Sequence, residues 1–140
     1  MKSFVSLVVV IAITAISLVF LKPHIQHTIS ADQLVYVIDG DTAIFRIDGR
    51  KQTVRFVGVD TPEMKGRCAE ESVRAEKARQ FSLSALSQAQ KISLVSIDRD
   101  KDKYDRLLRR VLVDGDDISD LLIRAKLGRQ YTSAGRQSWC

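Results

Sequence analysis

The sequence predicts a mainly β domain with two helices, an α+β fold, preceded by a long apolar segment. Five short runs rich in β-branched and aromatic residues are separated by turn signals, which is typical of strands in a small sheet protein. One long stretch with helical spacing follows the third run, and a shorter one follows the fifth. At 140 residues the chain is long enough for one domain and hardly for two.

The chain begins with an unbroken apolar run, residues 4–21, flanked by lysines. A run of about 18 residues can span a bilayer and is longer than the usual core of a signal peptide. A small-x-small site at residues 28–30 leaves cleavage open, so residues 1–30 are interpreted as a signal anchor, or a signal peptide, with a short tether. In either case residues 31–140 form an exported domain, anchored by the membrane at the cell envelope or, after cleavage, secreted or periplasmic.

The first three strands form a meander. Residues 34–38 and 42–47 flank an Asp-Gly turn signal at positions 39–40. A second Asp-Gly pair, at positions 48–49, is the strongest hairpin signal in the chain and leads to a third strand at residues 53–59. A three-stranded meander of this length must curl or be covered by other elements.

The third strand ends abruptly. Pro62 lacks a backbone donor and restricts Thr61, so the ladder should end near Asp60. The break leaves the carboxylates of Asp60 and Glu63 just after the end of the strand, and Arg55 lies near its beginning. Carboxylates suit a hard cation and a guanidinium suits a phosphate, as phosphodiester chemistry requires. Taken alone, the stretch is equally well read as a surface turn with a salt bridge.

The later elements complete the pattern. Residues 70–89 have apolar positions at helical spacing. Residues 92–97 form a fourth strand whose slipped alternation indicates a bulge, and residues 107–113 form a fifth. A short helix at residues 118–126 starts after Asp117, a suitable N-cap. The order β-β-β-α-β-β-α favours a five-stranded Greek-key barrel with two helices, the oligonucleotide-binding (OB) fold.

The charge balance permits a polyanionic partner but does not demand one. The chain has 22 Lys and Arg against 17 Asp and Glu, a formal net charge of +5. Lys2 and Lys22 belong to the N-terminal segment, and the first acidic residue is Asp32. The domain therefore carries 20 basic and 17 acidic residues, a net charge of +3.

Two cysteines, Cys68 and Cys140, lie too far apart in sequence for a zinc site. An exported domain permits a disulfide between them. Trp139 precedes Cys140 and could bury its ring, which would fix the tail. We expect the bridge, and the alternative is a pair of free thiols.

Three stretches, in this order, resemble the staphylococcal nuclease (thermonuclease) family: V-I-D-G-D-T at residues 37–42, R-F-V-G-V-D-T-P-E at residues 55–63 and D-K-Y-D-R at residues 102–106. The resemblance extends from about residue 33 to about residue 128 and implies the same OB fold. It also implies a calcium-dependent nuclease, with the balance between endonuclease and exonuclease activity left open, and we expect the protein to be a monomer. Such an enzyme hydrolyses DNA and RNA, preferably single-stranded, and leaves 3′-phosphate and 5′-hydroxyl ends.

The resemblance assigns the acidic residues of the site. Asp41 and Asp60, with the backbone carbonyl of Thr61, match the ligands of Ca²⁺. The two aspartates come from the ends of different strands, so their side chains can converge, and a site of oxygen ligands alone favours a hard cation. Glu63 matches the general base or water-orienting carboxylate, although without the family an exposed surface glutamate is the simpler reading. Asp39 is interpreted as a turn residue.

The resemblance also assigns basic residues. Arg55 and Arg106 match two arginines that bind phosphate, which a guanidinium contacts with two parallel hydrogen bonds. More arginines follow closely, so the motif, not the local chemistry, selects Arg106. Lys103 and Tyr104 match residues that contact a terminal phosphate of bound nucleotide. Asp105 stands where family members often have glycine, and we expect its anion to weaken substrate binding or reshape the loop.

The alternative function is a non-catalytic OB module that binds nucleic acid or protein at the cell envelope. Such modules lack the catalytic residues, whereas this chain carries the full set: Asp41, Arg55, Asp60, Glu63 and Arg106. The nuclease is therefore the favoured prediction.

Overall fold

A computed structural model of the protein describes residues 25–131 and 134–140. The predicted signal anchor or signal peptide lies outside the described residues. Within those residues, no helix is both long enough and apolar enough to cross a membrane.

The described residues form nine strands and two α-helices. In chain order the strands are β1 (Gln26–Ile29), β2 (Leu34–Asp39), β3 (Thr42–Ile47), β4 (Arg50–Phe56), β5 (Val59–Asp60), β6 (Ile92–Lys101), β7 (Leu107–Val113), β8 (Asp116–Asp117) and β9 (Arg129–Gln130). The helices are α1 (Ala69–Ser87), between β5 and β6, and α2 (Ile118–Arg124), between β8 and β9. A 3-10 turn covers Ala31–Gln33. The prediction of a mainly β domain with two helices is confirmed.

The main sheet is mixed and open. Its strands follow the spatial order β1-β6-β7-β4-β3-β2, and β8 pairs with β7 beside this path. The β4–β7 pair is parallel and the other pairs are antiparallel. The five predicted strands thus lie in the order first, second, third, fifth, fourth. This is consistent with an OB-like fold, but in the described part of the chain no ladder joins β1 to β2 to close a barrel.

Two predicted boundaries are wrong. The predicted tether contains a strand, because Gln26–Ile29 pairs antiparallel with Ile92–Val95 of β6 at the edge of the sheet. The third strand is Arg50–Phe56 and not residues 53–59. It ends early because Gly58 has a φ of 90°, a left-handed conformation that glycine adopts without strain and that cannot continue a strand.

The slipped alternation in the fourth strand has a structural counterpart. The β6–β7 ladder is regular from Ile92 to Ser96 and then shifts in register before Lys101. Such an irregularity bends a strand and increases its twist. The bend lies just before the 102–106 loop.

The core lies between the main sheet and the two helices. Its largest side chains come from five different elements, so each element is held by contacts with the others. Burying one such Phe, Leu or Ile contributes about 1.5–3 kcal/mol. The most deeply buried large residues are Phe45, Phe56, Leu86, Ile92, Leu94, Ile118 and Leu122.

Helix α1 packs directly on the turn between β2 and β3. Ser82 is fully buried, and its Oγ donates a 2.6 Å hydrogen bond to the carbonyl of Gly40. A Cβ at Gly40 would lie 2.7 Å from Ala78 Cβ and 2.9 Å from Thr61 Cγ2. Only glycine therefore allows this close approach, which keeps the turn and its two flanking aspartates under the helix.

The C-terminal tail is fastened to the start of α1. Cys140 forms a disulfide with Cys68, the residue that precedes the helix. The ring of Trp139 is buried, and the guanidinium carbon of Arg129 stacks over it, 3.7 Å from the centre of the ring. Arg136 and Trp139 of the tail thereby contact Asp60, at the end of β5.

We predict that replacing both cysteines with serine lowers the stability of the protein by about 4 kcal/mol, because the bridge restricts a long loop in the unfolded chain. Urea unfolding of the oxidised protein and of the Cys68→Ser/Cys140→Ser variant measures this difference. Equal midpoints would show that the bridge does not constrain the unfolded chain.

Candidate active site

A cleft of about 750 Å³ opens beside β4 and β5. It lies where the end of β4 meets the 102–106 loop and the C-terminal tail. Seven of the eight residues expected to bind metal or substrate line this cleft: Asp41, Arg55, Asp60, Glu63, Lys103, Tyr104 and Arg106. The eighth, Thr61, follows Asp60 and is buried. The fold therefore brings all three motifs to one place.

Asp41 is buried at the start of β3 and fixed by two donors. Its Oδ1 accepts the hydroxyl of Thr42 at 2.9 Å, and its Oδ2 accepts the backbone N–H of Thr61 at 2.8 Å. The second bond ties the β2–β3 turn to the residue after β5. Asp41 and Asp60 thus approach each other although 18 residues separate them in sequence.

Arg55 lies between the two aspartates. Its Nη1 is 3.2 Å from Asp41 Oδ2, and its Nη2 is 3.9 Å from Asp60 Oδ1. The same guanidinium donates to the carbonyl of Phe56 at 2.8 Å. Only 14% of the side chain is exposed, so the positive charge is held in one orientation at the wall of the cleft.

A third buried acid, Asp39, lies beside Asp41. Asp39 is buried and accepts the N–H of Asp41. Burial, together with the neighbouring charges of Asp41 and Glu63, raises the pKa of Asp39 to about 8. The main cause is burial, which disfavours the charged form of the carboxyl, and the nearby carboxylates add to it.

The oxygen atoms at this point fit a hard cation. Asp41 and Asp60 offer carboxylates, and the carbonyl of Thr61 lies beside them. A positive group already occupies this space, because the guanidinium of Arg136 contacts both Asp60 Oδ1, at 2.9 Å, and the Thr61 carbonyl, at 3.2 Å. The Thr61 hydroxyl is buried without a hydrogen-bond partner among the described residues. Oxygen ligands of this type are those that Ca²⁺ prefers.

Glu63 lies on the loop after β5, and Glu71 shapes this loop. The carboxylate of Glu71, in the first turn of α1, accepts the backbone N–H of Glu63 at 3.2 Å and that of Arg67 at 2.9 Å. These two donors hold the pKa of Glu71 below its ordinary value of 4.5. Gly66 permits the arrangement, because a Cβ there would lie 2.6 Å from Glu71 Cγ.

Asp102 orients Arg106 toward the cleft. Its Oδ2 accepts the Nε–H of Arg106 at 2.7 Å, and its Oδ1 accepts the backbone N–H groups of Arg106 and Tyr104. The two following arginines are engaged elsewhere: Arg109 is buried against Asp100, and Arg110 pairs with Asp117. Of these three arginines, only Arg106 lines the cleft, a distinction that the local sequence does not make.

Asp105 does not face the cleft. Its side chain is 83% exposed and pairs with Lys101 at 2.7 Å. Its φ is 64°, a left-handed conformation that glycine adopts freely and that Asp tolerates better than most residues. A glycine at this position would therefore have the same backbone role, and Asp102, not Asp105, is the anion beside Arg106.

Two aromatic rings stand at the rim of the cleft. Tyr104 is 68% exposed and lies between the Lys103 ammonium and the Arg106 guanidinium, 5.0 and 5.5 Å from the ring centre. Tyr131 is 54% exposed and donates its backbone N–H to the carbonyl of Gly58. Both side chains are therefore exposed at the rim of the cleft, and Tyr104 lies beside two basic groups.

Sequence reasoning missed Arg136, Glu71 and Asp102 as parts of this site. Arg136 reaches Asp60 and Glu63 from the tail, where the sequence shows no periodicity. The only sequence feature that could have drawn attention to Arg136 is its position four residues before Cys140, which is expected to form a disulfide. Glu71 lies in the predicted helix and Asp102 in the third motif, but neither pattern indicates a role in positioning other site residues.

The chain resembles known proteins over most of its length. The profile of the family described as "Staphylococcal nuclease homologue" matches residues 53–138. The chain is 33% identical over 97 residues to the thermonuclease of Staphylococcus hyicus, covering 69% of this chain and 57% of that protein. It is 37% identical over 115 residues to endonuclease YncB of Bacillus subtilis (strain 168), covering 77% of this chain and 54% of that protein. It therefore spans about half the length of these curated relatives.

We predict that Glu71→Gln loosens the loop that carries Glu63 and weakens the pH dependence of stability. The folded pKa of Glu71 is depressed, so its contribution is full above about pH 4.5 and is lost as the pH falls through the folded value. The stability difference between the wild type and the variant should therefore shrink between pH 7 and pH 3. Urea midpoints across this range measure it, together with faster hydrogen exchange of the Glu63 and Arg67 amides in the variant. A constant difference would contradict the assignment.

We predict that Asp105→Gly is more stable than Asp105→Ala by about 1 kcal/mol, because only the alanine has a Cβ in the left-handed conformation. Both variants lose the ion pair with Lys101, so they form a matched pair. Urea unfolding of the two proteins gives the difference, and an equal or reversed order would contradict the backbone role.

Proposed function

The chain belongs to the staphylococcal nuclease family, and on that premise we propose that it is a calcium-dependent nuclease that hydrolyses phosphodiester bonds of DNA and RNA. One observation carries the proposal beyond the family. Two arginines and three carboxylates, drawn from three separate stretches of sequence, line a single cleft. The relatives named thermonuclease and endonuclease YncB support the same reaction class.

The basic wall of the cleft would bind the phosphate. Arg55 and Arg106 are each oriented by an aspartate, so a phosphate group meets guanidinium donors that are already in place. Paired guanidinium–phosphate bonds fix the scissile group more rigidly than a lysine can. In the transition state the phosphate oxygens gain negative charge, and these two arginines stabilise it.

The acidic wall would hold the cation. Asp41, Asp60 and the Thr61 carbonyl are the proposed ligands, and Ca²⁺ bound there supplies positive charge to the phosphate oxygens. Arg55 contacts both aspartates and also lines the cleft, which supports its role as the group that joins the two walls.

Glu63 would activate the water. Its carboxylate is 47% exposed at the cleft and can accept a proton from a water molecule as the water oxygen bonds to phosphorus. The bond from phosphorus to the 5′ oxygen breaks, and that oxygen takes up a proton from solvent. The products are a 3′-phosphate and a 5′-hydroxyl. Glu71 acts as a positioning residue here, because it holds the backbone of Glu63.

The rim would bind the nucleic acid chain. Lys103 and Tyr104 are the proposed contacts to a terminal phosphate and its nucleotide. Exposed aromatic rings stack on unpaired bases, at about 1–3 kcal/mol per base, so Tyr104 and Tyr131 favour single-stranded substrates. A duplex does not offer its base faces to such rings.

The domain is proposed to act as a monomer outside the cytoplasm, either membrane-anchored at the cell envelope or secreted. The apolar run at residues 4–21 and the Cys68–Cys140 bridge support this location, because disulfides persist in oxidising compartments.

We predict that the full chain cleaves single-stranded DNA with calcium and that excess EGTA stops the cleavage. Glu63→Gln should lower turnover by about 10²–10⁴-fold, since it removes the proton acceptor and keeps the size of the side chain. Arg106→Lys should lower it by about 10²-fold, because the charge remains but the two-bond contact is lost. Initial rates on a labelled oligonucleotide, with end-group analysis of the products, measure both effects.

The matched control is Glu70→Gln, which removes an exposed carboxylate outside the cleft and should cleave at the wild-type rate. Tight binding of the oligonucleotide without cleavage by the folded wild type would overturn the nuclease and favour a binding module. Cleavage by Glu63→Gln at the wild-type rate would remove Glu63 from the mechanism.

A further inference from the structure

A third arginine reaches into the site from the C-terminal tail. The guanidinium of Arg136 spans three acceptors: Nε donates to Asp60 Oδ1 at 2.9 Å, Nη1 to Glu63 Oε1 at 2.6 Å, and Nη2 to the Thr61 carbonyl at 3.2 Å. All three nitrogen atoms are thus engaged by protein oxygens. The side chain is still 47% exposed, so it can leave this position without unfolding the domain.

The tail is built to keep Arg136 near these oxygens. Three residues further on, the indole N–H of Trp139 donates to Asp60 Oδ2 at 3.3 Å. Arg129 fixes the tail from the other side, stacking on the Trp139 ring and donating to the Ser138 carbonyl at 2.9 Å. The bridge from Cys140 to Cys68 closes the arrangement. A short tether of this kind gives Arg136 a high effective concentration at the carboxylates.

Arg136 and a bound cation would need the same atoms. A calcium ligand oxygen lies about 2.3–2.6 Å from the ion, and the ion needs several such oxygens at once. Asp60 Oδ1 and the Thr61 carbonyl cannot meet that requirement while both accept hydrogen bonds from Arg136. The same guanidinium holds Glu63 Oε1, which must be available to accept a proton. Arg55 differs, because its contacts leave the Thr61 carbonyl and Glu63 untouched.

We propose that Arg136 is an internal competitor of calcium: the docked tail blocks the cation site and occupies Glu63, and calcium activates the enzyme only by displacing this arginine. The inference rests on the calcium site of the proposed function. The apparent calcium affinity is then the intrinsic affinity multiplied by the fraction of molecules whose tail is undocked. A tail that is docked about 90% of the time therefore weakens calcium binding about tenfold.

The test compares the full chain with its Arg136→Gln variant. Isothermal titration with CaCl₂ should give about tenfold tighter binding to Arg136→Gln than to the wild type. The melting temperature in EGTA should fall in the variant, which loses the docked contacts, and the rise produced by a fixed calcium concentration should be larger. The matched control is Arg50→Gln. It removes the same charge from the far end of β4, about 16 Å along the strand from Arg55, and should bind calcium as the wild type does.

A second variant tests the tether. Cys68→Ser/Cys140→Ser should also bind calcium more tightly than the wild type, because the tail loses its attachment, with circular dichroism confirming that it is folded at the titration temperature. Adding Arg136→Gln to this variant should then change the affinity little, since bridge and arginine act through the same docked state.

Equal calcium affinity in the wild type and Arg136→Gln overturns the competition while leaving the nuclease in place. Unchanged calcium affinity with a raised KM for the oligonucleotide also overturns it and makes Arg136 a phosphate-binding residue. A folded wild type and variant that both fail to bind calcium overturn the calcium site itself, and the competition with it.

Discussion

The site depends on one electrostatic constraint: three carboxylates are buried together at the turn between β2 and β3 and at the end of β5. Taking a carboxylate out of water costs several kcal/mol unless a partner compensates. Asp39, Asp41 and Asp60 are all buried here, and burial is the main reason why the pKa of Asp39 is raised. An ionised carboxylate here needs a compensating cation, and among the described residues Arg55 and Arg136 contact these acids.

The rest of the fold can be understood as the frame that holds these acids in place. Ser82 and Gly40 fasten the β2–β3 turn beneath α1, and the N–H of Thr61 ties that turn to the end of β5. The first turn of the same helix carries Glu71, which holds the loop bearing Glu63. One helix therefore sets the positions of both the proposed metal ligands and the proposed base. A rigid frame of this kind suits catalysis by preformed charge, because little reorganisation is needed during the reaction.

The two sides of the cleft differ in how they are fixed. The acidic side is buried and held by backbone contacts, whereas the basic side, apart from Arg55 on β4, lies on the more exposed 102–106 loop. That loop is ordered by Asp102, which accepts three N–H groups, and by the left-handed turn at Asp105. A substrate-binding wall on a loop can adapt to a flexible nucleic acid chain, while the cation site needs fixed distances. The difference between the walls matches these two demands.

The sequence by itself determined the elements that depend on neighbouring residues. The alternation of apolar residues gave the strands, the Asp-Gly pairs gave the turns, and helical spacing gave α1 to within two residues at each end. Asp41, Arg55, Asp60 and Glu63 could be named because their motifs are short and contiguous. The edge strand β1 could not, because in Gln26–Ile29 only Ile29 is buried and a single inward residue makes no pattern. The tertiary structure alone decided the role of the tail: Arg136 meets Asp60 across 76 positions of sequence. No local pattern encodes such a contact, since it forms only when the disulfide and the buried Trp139 bring the tail back to a cluster of buried carboxylates.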